Sequence, residues 1–351
     1  VTEGVFILQE ILKLQKMIVP ELVDLLEKRY SILRAIYYNQ PIGRRILANM
    51  LSLGERVVRT EINFLKSQGL IEINTPGMTV TKDGEEILEN LKDFIHEIKG
   101  LSDVEEFIRK SLGTKKVIVV PGDMDTDHTI IKELGKAAAN YAKSIIKSDN
   151  IIAITGGSTV KEVIDNFPKI NNTHNIMVVP ARGGMGKKVE TQANTLAARL
   201  AERLNGSYKM LHVPENLSEE ILETLIQERE IKDVIDTIHR ADILIYGIGR
   251  ADKMALKRGL SQEQFDRLKS LGAVGEAFGF YFNKEAKIVS VNQTLGININ
   301  DVNKISTHIA VAGGKDKVEA ILATELNKEN GVLITDEGAA EKIVEIIKKS
   351  V

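Results

Sequence analysis

The sequence predicts an α/β protein in two parts, an N-terminal winged helix-turn-helix followed by a Rossmann-like parallel-sheet domain. Three observations predict it. Residues 1 to about 113 read as helices with very little strand apart from one short hairpin. From Val117 onward, short apolar runs ending in glycine alternate with stretches of helical period, the texture of a parallel sheet covered on both faces. At about 150 residues per domain, a chain of 351 residues suggests two domains.

The first helical stretch, Ile7 to Lys28, carries Ile11, Leu14, Ile18, Leu22, Leu25 and Leu26 at near-helical spacing. Pro20 either breaks it or begins its second piece. A helix from about Glu27 to Tyr38 is expected next. Asn39-Gln40-Pro41 then ends one helix and starts another, which carries Ile42, Ile46, Leu47 and Met50. A turn over Leu51–Gly54 leads into a helix from Glu55 to Gln68, with Gly69 at its C-cap. Leu70–Ile73, the turn Thr75-Pro76-Gly77 and Met78–Thr81 read as a β-hairpin. Helix, short helix, turn, longer helix and hairpin is the order of a winged helix-turn-helix. This gives a head over 1–85, a charged helical connector over 86–113 and a sheet domain over 114–351. Strands of that sheet are expected at Val117–Val120, Ile151–Thr155, Ile176–Pro180, Tyr208–Val213, Ile243–Gly247, His308–Ala312 and Val332–Thr335.

Composition excludes whole classes of function. The formal net charge of -2 argues against a uniformly basic nucleic-acid coat and against an acidic disordered chain. The absence of cysteine removes disulfides, thiolate metal sites and thiol nucleophiles, and fits a reducing, cytoplasmic setting. No apolar run approaches the ~20 residues that span a bilayer, and no basic leader precedes Val5–Leu8, so neither a membrane partner nor a signal peptide is expected.

The charge is unevenly placed. From Lys28 to Leu70 there are eight basic residues and two acidic ones, so this segment is +6 and the remainder -8. A basic patch is what phosphate neutralisation requires. On the Glu55–Gln68 helix, Val58, Ile62 and Leu65 form one stripe, and Arg56, Arg59 and Asn63 form another on the far side. A helix packed by the first presents the second outward, where arginine can read guanine edges and asparagine adenine. Arg44 and Arg45, on the preceding helix, suit backbone phosphate. Ser52 or Gly54 could supply the N-cap, leaving helix-end N–H groups for a phosphate.

The sheet domain carries four glycine-rich strand ends: Thr155-Gly156-Gly157-Ser158-Thr159, Ala181-Arg182-Gly183-Gly184-Met185-Gly186, Gly247-Ile248-Gly249 and Gly313-Gly314-Lys315-Asp316-Lys317. Glycines let backbone approach an anion, while hydroxyls and helix N-terminal N–H groups supply donors. Ligands of open parallel sheets collect at the C-terminal strand ends, so these loops suggest a phosphorylated ligand. Nucleotide motifs do not fit. No Gly-Lys pair continues into Ser or Thr, and Gly247-x-Gly249-x-x-Asp252 lacks the third glycine of the dinucleotide fingerprint. Asp123-x-Asp125-x-Asp127 opens like a calcium loop but has His128 at position six and Leu134 at position twelve. The six histidines are scattered, so no metal site and no bound cofactor are expected.

Several longer motifs occur together: Pro41-Ile42-Gly43-Arg44-Arg45, Glu55-Arg56-Val57, Thr155-Gly156-Gly157, Val179-Pro180-Ala181-Arg182-Gly183-Gly184, Gln192-Ala193-Asn194-Thr195, Glu276-Ala277-Phe278-Gly279 and Val311-Ala312-Gly313-Gly314. In this combination the chain resembles the SorC family of sugar-binding transcriptional repressors, in the branch that governs central glycolytic genes, from about Leu14 to Glu345. The resemblance implies an effector domain similar to sugar-phosphate isomerases and deaminases. It also implies repression of an operon for the lower half of glycolysis, relieved by fructose 1,6-bisphosphate, by a homo-oligomer that is a tetramer on paired half-sites of operator DNA. For the ligand it implies Gly156, Gly157, Ser158 and Thr159 around one phosphate, Arg182 and Gln192 on the sugar phosphate, Glu276 on sugar hydroxyls and Lys317 on a phosphate. Lys257-Arg258 stands where the family has an arginine pair, and lysine keeps the charge but loses the bidentate fork. The competing reading is an isomerase- or deaminase-like enzyme with Glu276 and Asp336 as base and partner. Beside a DNA-binding head, sugar recognition is the preferred role for Glu276, and no catalytic residue is assigned.

Overall fold

The computed structural model describes residues 17–170, 172–183, 188–214, 217–302, 304–324 and 329–350. Ile11 and Leu14 of the first expected helix, and Gly184, Met185 and Gly186 of the second glycine loop, lie outside the described residues. The chain divides into two compact units, Val1–Val104 with Pro121–Thr129, and Glu105–Val120 with Ile130–Val351.

The first unit contains α1 (Pro20–Asn39), α2 (Arg44–Met50), α3 (Glu55–Ser67), β1 (Ile71–Asn74), β2 (Gly77–Val80) and α4 (Lys82–Ile98). The break expected near Glu27 does not exist. Pro20 opens α1 at its first turn, and no glycine or proline interrupts the next nineteen residues. The stripe of α3 packs as its period requires. Val58, Ile62 and Leu65 are buried with Ile32 and Ile36 of α1, Leu47 of α2 and Ile71 and Met78 of the hairpin. Each such side chain contributes roughly 1.5–3 kcal/mol of burial. The hairpin pairs Ile71 with Val80 and Asn74 with Gly77. Ile42 adds a third short edge, exchanging two backbone hydrogen bonds with Met78 at 2.9 and 3.2 Å. The helical stretch expected as a connector is two helices, α4 and α5 (Leu101–Leu112), and Leu88 and Ile95 of α4 belong to the core of this unit.

The second unit is built on seven parallel strands: β3 (Lys116–Val120), β4 (Ile151–Ile154), β5 (Met177–Pro180), β6 (Ser207–Tyr208), β7 (Ile243–Gly247), β12 (Thr307–Val311) and β13 (Gly331–Asp336). Their spatial order is β3-β13-β12-β7-β4-β5-β6, and every pairing is parallel. Successive side chains of a strand point to opposite faces. All five residues of β12 are buried, so both faces of the sheet are covered there. The strand expected over Tyr208–Val213 is shorter than predicted. Beyond β6 the side chain of Asn194 takes over from the ladder, donating to Leu211 O and accepting from Leu211 N at 3.1 and 2.9 Å.

A second sheet was not foreseen in the sequence. β8 (Gly249–Arg250), β9 (Ala273–Ala277), β10 (Phe280–Asn283) and β11 (Ile288–Val291) form an antiparallel sheet in the order β11-β10-β9-β8. β8 begins two residues after β7 ends, and its Gly249 pairs with Glu276. This register brings β9 to the C-terminal edge of the main sheet.

Candidate DNA-binding face and ligand cavity

In the first unit the outward face of α3 is as the periodicity requires: Arg56, Arg59 and Asn63 are exposed, and so are Arg44 and Arg45 on α2. Gly54 is the N-cap and offers no side-chain cap, so the first-turn N–H groups of α3 have no acceptor within the helix. Arg45 approaches Glu55 at 3.7 Å, but both are largely exposed and such a pair holds little energy. Two of the eight basic residues counted for the patch do other work. Arg29 is paired with Glu61 at 2.8 Å and stacks on Phe64. Arg34 is buried, donating to Pro121 O at 2.9 Å and to Asp127 at 3.3 Å. The charge count overstated the patch because it ignored which helix face each arginine occupies. Asp127, the third acid of the rejected calcium-like loop, is taken up by Arg34 and by Thr129.

In the second unit the four glycine-rich loops leave four neighbouring strands. β12, β7, β4 and β5 are adjacent in that order, and all run parallel. Their C-terminal ends therefore meet along one edge, at the point where strand order turns back on itself. An open cleft of about 190 Å³ lies there. Its walls include Gly156, Gly157, Ser158, Thr159, Arg182, Lys257, Arg258, Glu276 and Lys317. Gln192 is not among the lining residues. It caps the helix Ala193–Arg203, and its backbone lies against Gly156, whose missing Cβ would sit 2.6 Å from Thr191 O.

Three features give the cleft its chemistry. The first is a glycine turn leading into the eight-residue helix Ser158–Asp165, whose N-cap Gly157 has φ 120° and no side-chain cap. The N–H groups of its first turn have no intrahelical acceptor, and Thr155 Oγ1, buried just before the turn, has no hydrogen-bond partner among the described residues. The second is a buried cluster of charge. Glu276 Oε1 accepts from Arg258 Nη2 and from Gly279 N, both at 2.6 Å, and Arg182 Nη1 stands 4.0 Å away. All three side chains are at most 4% exposed, so two arginines gather around one carboxylate inside the protein. Arg258 Nε and Nη1 have no partner among the described residues. The third is a rim of cations, Arg250, Lys253, Lys257 and Lys317.

The small sheet exists to deliver Glu276. β9 and β10 are joined at Phe278 and Gly279, which have φ 39° and 92°. A side chain at Gly279 would be strained at this φ and would push on the Arg182 guanidinium, whose Nη1 lies 2.5 Å from the Cβ position. Lys317 lies in the 3-10 turn Lys315–Lys317 and not yet on the following helix Val318–Ala323. Asp336, considered as a partner for Glu276, is outside the cleft lining and accepts from Gly314 N at 2.9 Å, holding the glycine turn in place. Sequence reasoning missed Arg250, Lys253 and Phe278 in the cleft. A usable signal was present, because Lys253 precedes Lys257 by one helical turn directly after a glycine strand end.

Two family models match the chain, a CggR N-terminal DNA binding domain over residues 25–95 and a sugar-binding domain over residues 96–345. The central glycolytic genes regulators of Bacillus subtilis (strain 168) and Priestia megaterium are each 40% identical, over 96% of this chain and 99% of their own. The chain belongs to the SorC family of sugar-binding transcriptional regulators. A solved SorC family transcriptional regulator from Enterococcus faecalis is 35% identical with a TM-score of 0.64, covering 69% of this chain and 99% of its own. The full-length sorbitol operon regulator SorC from Klebsiella pneumoniae, at 20% identity, shares the fold over 89% of this chain and 96% of its own, with a TM-score of 0.64. This SorC-family member is thus a transcriptional regulator with a DNA-binding and a sugar-binding domain. Among its described residues no helix is long and apolar enough to cross a membrane.

Proposed function

We propose that the chain represses a glycolytic operon and is released or remodelled on operator DNA when fructose 1,6-bisphosphate occupies the cleft. The observation that carries this reading is the buried Arg182–Glu276–Arg258 cluster beside the Gly156–Thr159 turn. Two buried guanidinium groups beside a helix N-terminus offer an anionic ligand strong charge-assisted hydrogen bonds. A carboxylate among hydrogen-bond donors suits sugar hydroxyls, and the helix N-terminus suits a phosphate. In this reading Gly156, Gly157, Ser158, Thr159, Arg182, Arg258, Glu276, Lys257 and Lys317 bind the effector, with Gln192 positioning the glycine turn. No cofactor is needed. Arg56, Arg59 and Asn63 read bases of the operator, and Arg44 and Arg45 hold its phosphates.

The head is assigned to 1–85, the link to 86–113, its first helix packed into the core of the head through Leu88 and Ile95, and the effector and oligomerisation domain to 114–351. The working form is a cytoplasmic homo-oligomer, a tetramer on paired half-sites. Ligand can change DNA affinity only if the two allosteric states bind it differently. A thermal-shift panel of glycolytic phosphates tests the ligand class. A selective rise with fructose 1,6-bisphosphate is expected, and equal response to every phosphate would defeat the assignment.

A further inference from the structure

We infer that Lys253 is an exchangeable anion ligand, held by Asp316 until a second phosphate draws it into the cleft, and that this exchange sets the preference for doubly over singly phosphorylated sugars. The inference rests on the reading of the cleft as a sugar-phosphate site.

The rim cations are not equally free to act. Arg250 grips Asp252 with its fork, Nε to Oδ1 at 3.0 Å and Nη2 to Oδ2 at 2.6 Å, and touches Asp316 at 3.4 Å. The Lys253 ammonium has one partner among the described residues, Nζ donating to Asp316 Oδ2 at 2.5 Å. Its side chain is 60% exposed and that of Asp316 34%. Lys253 lines the cleft, whereas Asp252 and Asp316 do not. The stem of Lys253 therefore borders the ligand space while an acid outside that space draws its charge away.

The exchange is cheap on both sides. An exposed lysine–carboxylate pair contributes only about 0–1 kcal/mol. When Lys253 leaves, Asp316 keeps Arg250 beside it and is not stranded. Lysine, a point charge on a flexible stem, can change partners without re-forming a fork, which Arg250 cannot do. A phosphate offers several acceptor oxygens and more charge than a carboxylate, and charge-assisted bonds to it are strong. Lys253 and Lys257 stand four residues apart on the helix Ala251–Lys257, so their side chains share one face and can converge on one group. The Gly156–Thr159 turn provides for one phosphate, and a sugar with a single phosphate has nothing left to pull Lys253 from Asp316.

Calorimetric titration of the full chain with fructose 1,6-bisphosphate and with fructose 6-phosphate tests this, using wild type, Lys253→Met, Lys253→Arg and Asp316→Asn. Lys253→Met is expected to weaken the bisphosphate about 10-fold and the monophosphate less than about twofold. Lys253→Arg should retain most of the preference, and Asp316→Asn should tighten the bisphosphate by about two- to fivefold. An equal loss for both ligands, or no loss for either, overturns the role of Lys253 while leaving the cleft a sugar-phosphate site. Failure of both sugars to bind the wild type overturns the underlying reading and this inference together.

Discussion

Glu276→Gln separates charge from shape at the centre of the cleft. In the wild type, Glu276 Oε1 takes hydrogen bonds from Arg258 and Gly279 at 2.6 Å each and faces Arg182 at 4.0 Å. Glutamine keeps an oxygen for these donors but not the charge, so Arg258 loses its carboxylate partner where all these side chains are at most 4% exposed. Removing one partner of a buried ion pair costs about 3–5 kcal/mol, a large fraction of the roughly 5–15 kcal/mol that holds a domain together. For a domain of about 150–250 residues each kcal/mol moves Tm by about 2–4 °C, which gives a fall of about 6–20 °C. Scanning calorimetry in phosphate-free buffer measures it. The same variant should recover more Tm than the wild type when inorganic phosphate is added, because an anion replaces the missing charge. A variant melting within about 2 °C of the wild type would refute the claim that Glu276 compensates two buried cations.

Other outcomes follow from the same geometry. Gly279→Ala places a Cβ 2.5 Å from Arg182 Nη1 at a φ of 92°, so calorimetry should show at least about a tenfold weaker sugar-phosphate affinity; wild-type affinity would show that Arg182 is not placed by this turn. Arg59→Ala should cost about 1–3 kcal/mol on a preferred duplex and relax sequence preference. Arg45→Ala should weaken all duplexes alike and reduce the salt slope by about one; anisotropy at several salt concentrations separates the two, and identical behaviour would remove the distinction. The hydrogen bond from Arg250 holds the Asp252 carboxyl below its ordinary value of 3.8. A group depressed on folding stabilises above its unfolded pKa and loses that contribution as pH falls through its folded pKa. Asp252→Asn should therefore lower Tm at pH 7 and converge on the wild type as pH drops below 3.8, and a pH-independent difference would contradict the pairing. Arg34→Met strands the buried Asp127 and should cost about 3–5 kcal/mol in urea unfolding, while Arg34→Met combined with Asp127→Asn should recover part of it; strictly additive losses would deny the coupling.

The legible parts of this molecule were those governed by local periodicity. The stripe Val58, Ile62, Leu65 announced both the buried side of α3 and, by exclusion, the exposed Arg56, Arg59 and Asn63. The parallel strands announced themselves as apolar runs, because a strand covered on both faces needs no polar alternation. What escaped depends on contacts distant in sequence. Arg34 reads as surface charge until its partner Asp127, ninety-three residues away, is in view. The antiparallel sheet hid because β8 has two residues and β11 buries none of its four fully, so neither forms a recognisable run. Glu276 was visible as part of a motif, but its pairing with Arg258 is created by the β8–β9 register, which no spacing in the chain displays. The extra residues predicted for β6 failed for a related reason: Asn194, on a helix, satisfies the backbone that a neighbouring strand would have used.

The central claim is that occupancy of the cleft by a sugar bisphosphate changes binding of DNA by the head. Its most direct test is fluorescence anisotropy of the full chain on a duplex selected by the protein from a random library, titrated with fructose 1,6-bisphosphate and in parallel with fructose 6-phosphate. The account predicts that the bisphosphate weakens or alters the complex in a saturable way, that the monophosphate does so far less, and that Arg258→Ala abolishes the response while leaving ligand-free DNA binding in place. A DNA complex unchanged at saturating bisphosphate would contradict it.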